Sequence, residues 1–196
     1  MAHVCAVLAG VTGFLYAVSF LILVVGGVAP ATGVWLSSLC LLLGGLLATP
    51  ALVALYHRLQ QTDASFALWA LLLTIAGALG SAIHGGYDLA NAINPATAGV
   101  ASQAPSQVDP RGLLTFGVWG IGLLIVGWLI THSPRFPKGL GYVAYLSGVL
   151  SIVLYLGRLI LLTPTNPLIL APAILNGFIV NPAWYIWLGT ALRREK

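Results

Sequence analysis

Two runs decide the fold: Leu41-Leu42-Leu43-Gly44-Gly45-Leu46-Leu47 and Leu123-Leu124-Ile125-Val126-Gly127-Trp128-Leu129-Ile130. Neither alternates polar with apolar residues, as a lipid-facing barrel strand must. Both are apolar on every face, which suits a helix in hydrocarbon, where the backbone has to satisfy its own hydrogen bonds. Working outward, six stretches reach the roughly 20 apolar residues needed to cross a bilayer. They are Val4–Val28, Thr32–Leu59, Ser65–Leu89, Gly112–Thr131, Gly139–Leu162 and Pro167–Leu192. The expected fold is all-α: one polytopic integral membrane domain over residues 1–196, with six transmembrane helices.

The composition agrees. Of 196 residues, 59% are apolar and 6% charged, whereas a soluble domain carries about a quarter of its residues as charges. A soluble globular protein and a disordered chain are both excluded. The net charge of +4 comes without a Lys/Arg cluster, so no nucleic-acid partner is expected.

Charge placement sets an expected orientation. If the spans alternate, Arg58, Arg135, Lys138, Arg193, Arg194 and Lys196 share one side. The other side carries the uncharged Gly26–Gly33 loop, the Leu162–Pro167 turn and the long connection between the third and fourth spans, whose sole base is Arg111. The positive-inside bias then puts both termini in the cytoplasm, most simply at a bacterial inner (plasma) membrane. Trp69, Trp128 and Trp187 fall near cytoplasmic helix ends and Trp35 near an outer one, as interfacial belts require. Trp119 and Trp184 lie deeper, where helix packing or a ligand wall would each account for a large ring. The first span lacks a basic n-region and is too long for a signal h-region, so it is expected to stay in the mature chain. Cys5 and Cys40 form no CxxC motif and read as small buried residues.

Glycine-rich spans imply close helix approach, since lipid offers no hydrophobic drive for association. No glycine run has the Lys-Ser/Thr ending of a phosphate loop. Pro50 and Asn181-Pro182 should kink or break the second and sixth spans. Loop 91–110 reads as a linker or a lid, and a three-plus-three repeat finds no support in the sequence.

The most informative segment is Gly80-Ser81-Ala82-Ile83-His84-Gly85-Gly86-Tyr87-Asp88-Leu89-Ala90-Asn91. Ser81, His84, Asp88 and Asn91 share one helix face, flanked by Tyr87. Such a stripe must turn to the bundle interior or a wet cavity. Ser147, Ser151, Tyr155 and Arg158 form a matching stripe on the fifth span. At about 1.5 Å per residue, Asp88 lies roughly 35 Å and Arg158 roughly 29 Å along their outward helices. An Asp88–Arg158 ion pair is therefore expected, with Arg158 snorkelling as the plainer alternative. Asn176 reaches the floor of the same pocket, and Tyr16, with Thr12 and Ser19, is a further candidate wall.

Haem would need axial histidines, and His57 with His132 stand at cytoplasmic helix ends, a geometry ordinary for interfacial histidine. No cofactor is expected. His84 and Asp88 supply two potential metal ligands with no third, so no metal site is assigned. A Ser81–His84 protease arrangement fails because both lie on one helix. A His84–Asp88 acid/base dyad is chemically possible.

One stretch carries a family likeness: Gly127-Trp128-Leu129-Ile130-Thr131-His132-Ser133-Pro134-Arg135-Phe136-Pro137-Lys138-Gly139-Leu140-Gly141-Tyr142. Its Gly-x-Leu, basic Ser-x-x-Phe-Pro turn and Leu-Gly helix opening resemble a bacterial membrane family, domain of unknown function 4386, mainly over residues 112–163. The resemblance implies a small polytopic helical fold and brings no activity and no site residues. The expected function is binding of a lipid, quinone or small amphiphile in an outer-facing pocket formed by Ser81, His84, Tyr87, Asp88, Tyr155, Arg158 and Asn176. The chain would act alone, as a homo-oligomer, or as an accessory subunit of a membrane protein partner. The alternative is a membrane enzyme on a lipid-like substrate, with His84 and Asp88 as acid and base.

Overall fold

The computed structural model describes residues 1–94, 109, 111–161, 163 and 165–194. Among them there is no strand, and six helices are long and apolar enough to cross a membrane. They are α1 (Ala2–Val25), α2 (Pro30–Leu59), α3 (Ala64–Ile93), α4 (Leu113–His132), α5 (Lys138–Leu161) and α6 (Pro167–Arg193). Most of the 91–110 loop, expected as linker or lid, lies outside the described residues.

Local chemistry sets the helix ends. Gly27, at φ +70°, makes the left-handed turn that lets Pro30 open α2. Asp63 caps α3 by accepting from the Phe66 amide at 2.9 Å. Asn166 caps α6 through the Leu168 amide at 3.0 Å, with Pro167 in the first helical position. Arg58, at the end of α2, donates to the Leu192 carbonyl at 2.8 Å and so ties α2 to α6.

The helices form a closed circle in chain order, each packed on the next and α6 returning to α1. Small residues make the seams. A Cβ on Gly10 would stand 3.1 Å from the Pro182 carbonyl oxygen, and one on Gly120 would stand 2.8 Å from that of Gly148. The end of the bundle carrying Met1, Arg193 and the 60–63 and 133–137 turns is the basic end, and the opposite end is called the far end. The basic half is filled: Leu52, Leu55, Leu123, Leu129, Leu140, Trp184 and Leu188 are fully buried together.

The far half is built differently. Three of the six spans leave α winding there for π winding: Val18–Val25 in α1, Leu113–Val118 in α4 and Asn176–Val180 in α6. The interruption expected at Asn181-Pro182 takes this form, a π segment immediately before Asn181 and not a break. Pro50 is absorbed within a continuous α2, and Pro172 within α6.

Candidate ligand cavity and its charged rim

The far half of the circle encloses a cavity of about 170 Å³. Its wall is mostly apolar, but Tyr16, Ser81, Thr115, Arg158, Asn176 and Asn181 place polar atoms on it. Each π segment contributes: Phe20 and Leu21 from α1, Thr115 and Phe116 from α4, Asn176 and Gly177 from α6. A π turn widens the helix and re-aims side chains, and it recurs at functional sites.

Beside the cavity stands a charged cluster. His84, on α3, is buried, with Nε2 at 3.5 Å from Asp88 Oδ2 and 3.4 Å from Asp109 Oδ2. Its Nδ1 is 3.3 Å from Thr115 Oγ1, and Thr115 in turn donates to the Arg111 carbonyl at 3.1 Å. Arg111 organises the group. It donates from Nη1 to Asp88 Oδ1 at 2.8 Å, from Nη2 to Asp109 Oδ2 at 2.6 Å and from Nε to Asp109 Oδ1 at 2.9 Å. The fork-on-fork pair with Asp109 is the strong bidentate kind. Nη1 also reaches the His84 carbonyl at 3.3 Å, and the guanidinium carbon lies 4.4 Å from the Tyr87 ring centre.

These contacts fix the charges outside the spans. Burial alone would push the Asp109 carboxyl up, but hydrogen bonds from the Arg111 side chain and amide outweigh it and hold Asp109 below the ordinary carboxylate range. Burial would lower Arg111, and the hydrogen bonds to Asp109 and Asp88 outweigh that, raising it.

The expected Asp88–Arg158 pair does not form: Asp88 is paired with Arg111. The reason is azimuthal. Helix α4 stands between α3 and α5, so the chain leading into it supplies the partner for Asp88. On the α5 side, Arg158 lies over the Phe116 ring, 5.6 Å from its centre.

The remaining candidates divide. Ser81, Arg158 and Asn176 line the cavity, as does Tyr16. Ser81 spends its hydroxyl on the Gly77 carbonyl of its own helix at 3.1 Å. Asn176 accepts from Ser147 at 2.9 Å and donates to Ser151 at 3.2 Å, bolting α6 to α5. His84, Tyr87 and Asp88 belong to the cluster, and Tyr87 is largely exposed beneath Arg111. Tyr155 is neither: it packs on Gly117. His57 is exposed beside Tyr56, and His132 stacks on Trp128 with Nδ1 2.8 Å from its carbonyl oxygen. Trp119 is a cavity wall, whereas Trp184 is core, edge-on to both Trp119 and Tyr185.

Sequence reasoning missed Arg111, Asp109 and Thr115 as cluster members. Their signal was present: Asp109-Pro110-Arg111 brings two of the chain's twelve charges to the threshold of a span. Asp109 also adds the third acidic or imidazole group that His84 and Asp88 lacked. The arrangement nevertheless gives a cation no vacancy, because the Arg111 guanidinium fills the space between the carboxylates. Among the described residues no group of three such side chains is arranged to hold a metal ion. Compared with known proteins, the chain matches no family model, no curated protein and no solved structure.

Proposed function

We propose that the chain is an integral protein of the bacterial inner membrane that binds a lipid, quinone or other small amphiphile in the far-half cavity. It does so alone, as a homo-oligomer, or as an accessory subunit of a larger membrane assembly. The basic end faces the cytoplasm and carries both termini, so the cavity opens towards the outer leaflet. Membership of the domain of unknown function 4386 family is proposed on residues 127–142, and it adds no activity.

The observation that carries the reading is the cavity itself. A bundle whose basic half is packed solid keeps about 170 Å³ open in its far half, where tight packing is the rule for protein interiors. An apolar wall with a few convergent polar groups is the usual make-up of a small-molecule site. Mass spectrometry and an absorption spectrum of the purified protein test this directly. The expected result is a retained amphiphile, with a quinone band if the ligand is a quinone. A folded protein that retains nothing, and binds neither lipid nor quinone on titration, overturns the proposal.

The enzyme alternative draws on one feature: His84 touches Thr115, a cavity-wall residue, and stands 3.5 Å from Asp88. Against it, both carboxylates near His84 are already engaged by Arg111. His84→Ala and Asp88→Asn separate the readings. Ligand binding without turnover, in the wild type and in both variants, sinks the enzyme.

A further inference from the structure

We propose that the cavity takes a single-chain amphiphile with a compact oxyanion headgroup, held by Arg158, whose chain passes between α1 and α6. This rests on the amphiphile-binding reading above and specifies its ligand. The chain has four acidic residues. Asp63 caps α3 at the basic end, and Glu195, next in sequence to Arg194, lies outside the described residues. Asp88 and Asp109 are both bound to Arg111, and neither forms an ion pair with Arg158. The sequence between residues 94 and 109 contains no further acid. Among the described residues the Arg158 guanidinium therefore has the Phe116 ring and no carboxylate.

A guanidinium on the wall of an apolar cavity is costly without a counter-charge, and an anionic ligand supplies one. A carboxylate or phosphate also matches its forked donors. Tyr16 adds a donor on the same wall, within electrostatic reach of Arg158. Among the described residues its hydroxyl has no hydrogen-bond partner.

Shape adds the second half. In their basic halves α1 and α6 are tightly joined, and a Cβ on Gly189 would meet the His3 carbonyl oxygen at 2.8 Å. Towards the far end, the backbones of Val18–Val25 and Pro167–Leu175 are not closely packed on each other. The gap between them is walled by Phe20, Leu21, Ile169, Leu170 and Ala173, all on the cavity. At about 170 Å³ the cavity compares with engineered ones of about 150 Å³ that hold benzene. It has room for a headgroup and the first carbons of one chain, and the rest must lie in the gap.

The test is a titration of the full chain in zwitterionic micelles with dodecyl phosphate, laurate and dodecanol, followed through intrinsic tryptophan fluorescence, to which the cavity-wall Trp119 contributes, and by calorimetry. Both anions should bind at least about tenfold more tightly than dodecanol. Arg158→Gln should bring them down to the dodecanol level while leaving dodecanol binding intact, which shows that the variant is folded. Arg158→Lys should keep the preference. Leu170→Trp, which narrows the gap, should weaken all three ligands. Whichever anion binds better identifies the source, a phosphate-headed lipid or a free fatty acid, and either order supports the proposal. Equal binding of dodecanol and the anions, or unchanged discrimination in Arg158→Gln, overturns it while leaving amphiphile binding in place. If no dodecyl compound binds at all, the broader reading fails with it.

Discussion

Arg111 Nη1 donates to Asp88 Oδ1 at 2.8 Å, joining the last turns of α3 to the chain that enters α4. The same guanidinium grips Asp109 with its other edge. One arginine thereby engages both acids of the far end, and the second arginine there, Arg158, pairs with neither and lines the cavity. The pairing decides which arginine ties α3 to the entry of α4 and which stands on the cavity wall.

Removing the staple should cost stability. Arg111→Gln leaves two partly buried carboxylates facing each other and His84, with an expected loss of about 1–3 kcal/mol. Thermal unfolding in detergent measures it. Asp88→Asn in the same chain should recover part of the loss, because the repulsion between the acids is then gone. A variant Arg111→Gln that melts with the wild type would show that the staple holds nothing.

Acid should loosen the same corner. Asp109 titrates below the ordinary carboxylate range in the folded chain, so its contribution is fully present above the unfolded-state value of about 4. It is lost as pH falls through the lower folded value. The melting temperature of the wild type should therefore drop faster on acidification than that of Asp109→Asn, which has no such proton to take up. Parallel pH profiles would contradict this.

Two adjacent glycines on α3 should behave oppositely. A Cβ on Gly85 would come within 2.5 Å of the Leu42 amide nitrogen and the Ser38 carbonyl oxygen, both backbone atoms of α2. Gly85→Ala must force α2 and α3 apart, at about 1–3 kcal/mol. At Gly86 the nearest atom is Leu42 Cδ1 at 3.8 Å, so alanine fits. Gly86→Ala should be neutral or slightly stabilising, since alanine is the better helix former. Paired melting curves decide it.

These contrasts show what the sequence could and could not reveal. Six spans were readable because hydrocarbon demands long apolar helices, and an i, i+4 spacing puts His84 and Asp88 on one face in any α-helix. Depth was readable too, since rise per residue is fixed. Azimuth was not. Asp88 and Arg158 lie near one end of the bundle, but whether they meet depends on which helix stands between them, and hydropathy does not encode neighbour order. The π segments were hidden for a related reason: Val18–Val25 and Leu113–Val118 have the composition of any apolar helix. All of the π segments contribute residues to the cavity wall.

Asn176 provides the last test, because it lines the cavity without being free to serve a ligand. Its amide accepts from Ser147 and donates to Ser151, using the side chain to hold α6 against α5. Asn176→Leu should lower stability by about 0.6–2 kcal/mol, the range for hydrogen bonds between membrane helices. The loss stays modest because both serines can turn to carbonyls of their own helix. Discrimination between dodecyl phosphate and dodecanol should survive, since Arg158 carries it. If Asn176→Leu instead abolished that discrimination at unchanged stability, the amide would be a ligand contact, and its bonds to Ser147 and Ser151 would be incidental to the fold.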